Sequence, residues 1–463
     1  MTETSPAEPA DAPSTSPGMV EIVVSAGRPA RVVDPAASAP FGWWPAVVVA
    51  LVAFVDRLEI NLIAGALPAI QDHFGFGDTA AGAIPTAASI AGAVLLLPAG
   101  RLADRAPRVI TIAVVVLVWS LCSVLSGLAS TFVLFFLVRV LIGAAGQLYN
   151  PPASSLLADY YPPGSRGKAY GFERAGYYLG LPVGVILGGV LAEALGWRAV
   201  FFVAAAPGLL VAALVLTVRE PLRGLGDRLG RLGRDESSVP VTAPRSASLL
   251  GEARALLRIR TLSGVIACQA LLSLGIGGVF YWLPTLLERT EHLGYDAASS
   301  LAGAVGGTGI VVGIVAGSRY GDRAHAAESG RRIIAAAVFL AIGALALAGA
   351  LLAPGVPARV TLIAVACGGF AGAIPNLTAA SADVVPADRR GMGFALLTFL
   401  VTLGGALGPF VVGLSSDLVD ASGYGGEPLV VAMFVLVPAI FVSVLILLRI
   451  RNRYAADARA AIG

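Results

Sequence analysis

Charge is scarce in this chain. Asp, Glu, Lys and Arg make up 13% of the residues and hydrophobic side chains 57%, against roughly 25% and 45–50% in soluble domains. An assembly of several soluble domains is therefore excluded, and one polytopic membrane protein is expected. Lysine is nearly absent: Lys168 stands alone among the arginines, the bias of a GC-rich bacterial genome. The three cysteines, Cys122, Cys268 and Cys367, all fall in apolar stretches, so neither a disulfide framework nor a metal site is implied. The first forty residues lack a basic segment followed by an apolar run and read as a disordered tail, not a signal peptide. A P-loop, a metal-ligand cluster and a nucleophile triad are all missing. The one glycine-rich candidate, GLGDRLG (Gly224 to Gly230), follows no strand and has the wrong spacing for a dinucleotide. No enzyme and no cofactor are expected, and any work must draw on an ion gradient.

Apolar runs dominate what is there. Twelve can be placed, near 43–68, 79–99, 108–129, 131–158, 167–193, 198–218, 262–286, 297–317, 333–353, 358–381, 391–415 and 428–449. Arg101, Arg105 and Arg108 follow the second, Arg166 and Lys168 the fourth, Arg319, Arg323, Arg331 and Arg332 the eighth, Arg389 and Arg390 the tenth. The alternate loops hold only Arg198, Arg289 and Arg359. The positive-inside rule then puts both termini in the cytoplasm, with the chain in the plasma (inner) membrane of a bacterium. The expected organisation is a tail at 1–40, a six-helix lobe at 41–218, a linker at 219–260, a second lobe at 261–450 and a tail at 451–463. Within the linker, Ser248 to Arg258 reads as an amphipathic helix on the anionic leaflet.

The halves repeat each other. Asp159, Arg166, Gly167, Gly180 and Gly184 recur at one constant offset as Asp383, Arg390, Gly391, Gly404 and Gly408. GRLADR (Gly100 to Arg105) is echoed by SRYGDR (Ser318 to Arg323). Corresponding loops on the same side describe parallel halves about an axis normal to the membrane, with a site between lobes near the midplane.

The sharpest stretch is FVDRLEIN (Phe54 to Asn61), which sets Asp56, Arg57 and Glu59 inside the first apolar run. Each charge at that depth costs about 2.5–3.5 kcal/mol, so all three must face water or one another. Asp56 and Glu59 lie about 60° apart around a helix and Arg57 about 100° from Asp56. A buried ion-pair cluster and a coupling and substrate site are both compatible with this. Arg139 is the single charge inside the fourth run, and its natural partner is Asp56 or Glu59. Glu173 and Arg174, adjacent in the fifth run, point apart and cannot satisfy each other within the helix; they either snorkel or line the cavity. Gly176, Gly180, Gly184 and Gly188 make a ladder for close helix packing, as do Gly309, Gly313 and Gly317. The second half has no charge inside its runs until their ends, leaving Gln269, Tyr281, Trp282, Asn376, Thr378, Thr398 and Thr402 as its cavity polars, opposite Gln147 and Asn150 of the first half. A charged wall facing an apolar one suits an amphiphilic ligand with an anionic or zwitterionic head.

GRLADRAPR with its echo resembles the inter-helix loop signature of the major facilitator superfamily. VDRLEINLIAGALPAIQDHF, RVLIGAAGQLYNPPASSLLADYYPP, LPVGVILGG and PGLLVAALVLTVREPLRG resemble the first, fourth, fifth and sixth helices of its Spinster-like branch. The organic-anion symporter branch, which shares the Asp-Arg pair and the fourth-helix arginine, comes second. The resemblance implies an all-α membrane protein of twelve transmembrane helices in two pseudo-symmetric lobes. It implies a proton-coupled carrier of a lipid-like or organic-anion molecule, with a drug or metabolite efflux antiporter and a non-transporting sensor or scaffold as alternatives. Asp56 becomes the proton-titrating carboxylate, Arg57 the headgroup or gating arginine, Arg139 its fourth-helix partner. Gly100, Asp104 and Arg105, with Asp322 and Arg323, become a cytoplasmic gate. Both branches carry a glutamate where this chain has Gly146, and Glu59 or Glu173 is the candidate replacement. Expected partners are the small-molecule substrate, protons and membrane lipids, without nucleic acid, and the chain is expected to be a monomer.

Overall fold

The ladder glycines of the fifth apolar run fix the geometry on which everything else rests. A Cβ added at Gly176, Gly180, Gly184 or Gly188 would lie 2.1, 2.4, 2.3 or 2.2 Å from the carbonyl oxygens of Ala50, Phe54, Leu58 and Leu62. Two helices therefore meet backbone to backbone, with no room for any side chain between them. The computed structural model in which this is seen describes residues 19–25, 29–35, 37–232, 249–327, 330–385 and 390–462, with the side chains at 96–104, 230–231, 249–250, 252, 322, 324–327, 390–391 and 460–462 outside that description.

Strands β1 (Val20–Ile22) and β2 (Arg31–Val33) precede helices α1 (Trp44–Phe74), α2 (Asp78–Arg105), α3 (Arg108–Leu128), α4 (Phe132–Tyr160), α5 (Arg166–Leu195) and α6 (Trp197–Val215). Two short helices follow, α7 (Leu225–Leu232) and α8 (Leu249–Leu257). Then come α9 (Arg260–Glu291), α10 (Tyr295–Ala327), α11 (Arg331–Leu352), α12 (Val356–Val384), α13 (Arg390–Ala421), α14 (Pro428–Met433) and α15 (Leu436–Ile462). Ten helices among the described residues are long and apolar enough to cross a membrane, the last being α14 and α15 taken together. Helix α1 is not one of them because Asp56, Arg57 and Glu59 interrupt it. Along α3, Ile110, Val114, Leu117, Leu121, Leu125 and Leu128 are exposed at helical spacing, an apolar stripe that suits lipid and not water.

The expected repeat is present in the packing. Helix α1 lies on α5, α2 on α4, and α3 on α4 and α6; α9 lies on α13, α10 on α12, and α11 on α12 and α15. The second lobe has its own rails, Gly404 and Gly408 on the carbonyls of Ala270 and Leu274, and Gly309, Gly313 and Gly317 on those of Ala364, Gly368 and Gly372. Asp159 accepts from Arg108, and its counterpart Asp383 accepts from Arg332 at 3.0 Å, so the repeated aspartates tie equivalent helix starts. We call the end of the bundle that holds these pairs the basic end. Between lobes, α2 packs on α13 and α5 on α10.

The two terminal segments correct the sequence expectation. The tail is not wholly disordered: β1 and β2 pair antiparallel, Val20 opposite Val33 and Ile22 opposite Arg31. The hairpin is seated by Val24 and Val33 on Leu225 and Leu229 of α7, and Leu222 N–H donates to the Val24 carbonyl at 2.8 Å. Residues 451–462 continue α15 instead of forming a separate tail. The amphipathic linker helix is α8, which packs on α9 and α13.

Candidate functional site

The charges of α1 form two separate acid–base pairs. Arg57 folds back along its own helix to reach Asp56, Nε donating to Oδ2 at 2.9 Å and Nη2 lying 2.8 Å from the same oxygen. Neighbours on a helix diverge by about 100°, but the long arginine stem curls around that angle. For the same reason Arg174 reaches Glu173 at 3.5 Å, against the expectation that the two cannot meet. The Arg57 guanidinium stacks 4.5 Å over the Tyr177 ring of α5, and Arg174 lies 5.6 Å from it. Asp56 is buried, whereas Arg57, Tyr177, Gln147 and Asn150 are half-buried and Arg174 is exposed. Asn150 Nδ2 lies 3.5 Å from Gln147 Oε1.

The second pair is Glu59 and Arg139. Oε1 and Nη1 lie 3.6 Å apart, within ion-pair range but too far for a hydrogen bond. Among the described residues neither of these two atoms makes a hydrogen bond. Arg139 is held by its other nitrogen, which donates to the Glu59 carbonyl at 3.3 Å, and by the Phe201 ring at 5.4 Å. Both side chains are 3% exposed. Of the two partners open to Arg139, the structure selects Glu59.

Gly146 faces the first pair and not the second. A Cβ added there would meet Asp56 Oδ1 at 3.0 Å and nothing else within 4 Å. The space beside Gly146 thus belongs to the Asp56 carboxylate, while Glu59, the candidate replacement, is paired with Arg139.

Four of the polar residues expected to line the second wall each make a hydrogen bond to a neighbouring helix. Trp282 donates to the Pro409 carbonyl at 2.9 Å and Gln269 to Ser381 Oγ at 3.2 Å. Asn376 donates to the carbonyls of Gly317 and Gly372 at 3.0 and 3.1 Å, and Tyr281 to the Ala81 carbonyl of the other lobe at 2.7 Å. All four are buried. A polar group inside an apolar helix takes whatever acceptor the packing presents, which a helical wheel cannot foresee. At the basic end Arg105 and Arg323 are exposed, while the surroundings of Gly100 and the side chains of Asp104 and Asp322 lie outside the description.

The opposite end carries a cluster that sequence reading missed. Asp78 of α2 receives both terminal nitrogens of Arg289 from α9 at 2.8 Å, Gln71 Nε2 at 2.9 Å and Ser416 Oγ of α13 at 2.7 Å. Asp417 caps α2, accepting from the Asp78 and Thr79 amides at 3.0 and 2.9 Å. Tyr295 of α10 donates to Asp72 at 2.6 Å. The lobes are thus locked together at the end opposite the basic end. The only available signal was Arg289, one of three bases in the otherwise base-free loops.

The description Major Facilitator Superfamily matches residues 49–409. The chain belongs to the Major Facilitator Superfamily. Within the superfamily it is similar to a gallate transporter of Pseudomonas putida, 26% identical over 81% of this chain and 86% of that one. It is also similar to the puromycin resistance protein pur8 of Streptomyces alboniger, 36% identical over 37% of this chain. The chain spans 34% of the length of that resistance protein. A crystal structure of a bacterial homologue of the human lysosomal transporter Spinster, inward-facing and unoccupied, superposes with a TM-score of 0.69 at 24% identity, covering 91% of this chain and 97% of that one. The likeness bears out the fold.

Proposed function

We propose that this superfamily member is a proton-coupled secondary transporter that moves an organic anion or anionic amphiphile by alternating access. Its basic end faces the cytoplasm of a bacterium, and the form described is closed to the outside by the Asp78–Arg289 lock. The observation that carries the reading is the Asp56–Arg57 pair: a buried carboxylate neutralising an arginine whose side chain keeps 16% exposure over Tyr177. A proton on Asp56 removes the arginine's counter-charge and leaves the guanidinium to a substrate anion, whose fork geometry it matches. Release of the anion returns Arg57 to Asp56 and expels the proton. Glu59 keeps Arg139 neutralised beneath this site and is the second acid available for coupling. Glu173 and Arg174 extend the site toward the basic end, and Gln147 and Asn150 supply neutral hydrogen bonds. Asp104, Arg105, Asp322 and Arg323 are the groups we assign to cytoplasmic closure. The similarity to a gallate transporter along most of both chains supports an anionic cargo.

The test uses proteoliposomes with an imposed ΔpH, screened with gallate and other aromatic acids, lysolipids and cationic drugs including puromycin. An anion should accumulate against its gradient and Asp56→Asn should abolish accumulation while leaving counter-exchange. Accumulation by Asp56→Asn, or transport of cationic drugs alone, would overturn the reading.

A further inference from the structure

Away from the paired charges, a second cavity opens at the basic end where the hairpin folds against the ends of three helices. Its volume is about 180 Å³, and Phe41, Trp44, Tyr160, Thr217, Arg31 and Arg219 are among its lining residues. Drug-sized ligands take pockets of roughly 300–1,000 Å³, so this one holds a headgroup and not a whole molecule. The walls come from β2, the start of α1, the end of α4 and the residues after α6, and the cavity is shaped only when the hairpin is docked.

Its charge is one-sided. Arg31 shares a hairpin face with Val33 and Val20, whereas Glu21 pairs with Val32 on the other face and does not oppose it. The acid beside Arg219 is also taken: Glu220 accepts from Arg108 Nε at 2.7 Å and from the Val109 amide at 2.8 Å. Asp159 at the end of α4 receives Arg108 and the Gly224 amide. Both guanidiniums are exposed. Trp44, itself 45% exposed, donates to Thr217 Oγ1 at 2.9 Å and stands where an interfacial indole meets the headgroup layer.

We propose that this cavity binds the phosphate headgroup of an anionic membrane lipid, held between Arg31 and Arg219 with its chains running out past Trp44. A phosphate ester satisfies two guanidiniums that line one cavity by charge-assisted hydrogen bonds. A membrane lipid is the source because the cavity lies level with the first turn of α1 and the end of α6, where chains can leave directly into the bilayer. A headgroup bound there would bridge the N-terminal hairpin to α1, α4 and α6. The inference rests on the basic end lying at a membrane surface and is independent of cargo.

The experiment uses the full chain in nanodiscs of phosphatidylcholine with increasing phosphatidylglycerol, with retained lipid counted by native mass spectrometry. Each basic residue near an anionic surface adds binding strength of about fivefold, so Arg31→Gln with Arg219→Gln should weaken retention of phosphatidylglycerol at least tenfold. Phosphatidylcholine retention should not change. Arg31→Gln alone lies outside the helical bundle and should lose a few-fold without affecting the fold. Arg223→Gln, equally basic but engaged with the Ala106 carbonyl, should match wild type. Equal retention by wild type and the double variant, or an equal loss in Arg223→Gln, overturns the site. Soluble glycerol 3-phosphate competing as well as lipid overturns the membrane as its source. None of these readings moves if transport itself is absent.

Discussion

Arg289 grips Asp78 across the lobe interface with both terminal nitrogens at 2.8 Å, although 211 positions separate the two residues. Hydrogen bonds to charged groups contribute about 1.5–3 kcal/mol, and every 1.4 kcal/mol is tenfold in an equilibrium. Asp78→Asn should therefore shift the balance of the two lobe arrangements at least about tenfold toward opening at that end. Spin labels at Ser130→Cys and Ser422→Cys, exposed on the two lobes, should show a longer distance population by double electron–electron resonance. An unchanged distribution removes the lock from the mechanism.

Arg57→Lys keeps the charge but loses the fork and the stacking on Tyr177. Apparent affinity for an anionic cargo should fall about tenfold with the dependence on ΔpH preserved. Loss of proton dependence together with affinity would instead make Arg57 part of the coupling step.

The Glu59–Arg139 pair is open to a thermodynamic cycle. Removing one partner of a buried pair costs about 3–5 kcal/mol because the other charge is left uncompensated. Glu59→Gln should lower thermal stability sharply, and adding Arg139→Met should restore at least half of the loss. Additive losses would show that the two side chains, 3.6 Å apart, do not act as a pair.

Two glycines should respond in opposite ways. At Gly184 an added methyl meets the Leu58 carbonyl at 2.3 Å, and backbone must move; overpacking of this kind costs about 1–3 kcal/mol. At Gly146 the methyl meets only the Asp56 carboxylate at 3.0 Å. Gly184→Ala should fold poorly. Gly146→Ala should melt like wild type yet lose transport a few-fold, which melting curves and uptake measured side by side will check.

How much of this could be read from the sequence follows from the range of each signal. Asp56, Glu59 and Arg139 stand out because each is a charge in a greasy run, and the α5 ladder because its period is that of the helix. The repeated Asp159 and Asp383 are visible as well, but not their partners Arg108 and Arg332. Helical angles misjudged Arg174, whose reach exceeds the divergence of neighbouring residues. Trp282 and Asn376 stand out as polar groups in apolar runs, but a wheel gives direction and not the neighbouring helix that accepts their hydrogen bonds. The Asp78–Arg289 pairing joins lobes through residues with no local pattern. The hairpin strands are three residues each, too short to rise above the composition of the tail.

That each buried acid of α1 has its own arginine has an electrical consequence. The empty carrier holds a balanced site, so its return stroke crosses no net charge through the membrane field. Adding one proton and one monovalent anion keeps the balance, and the loaded stroke is silent too. Membrane potential, which acts with about 2.3 kcal/mol per charge per 100 mV, then neither drives nor opposes the cycle. A doubly charged cargo would break that symmetry and make the same protein a generator of current.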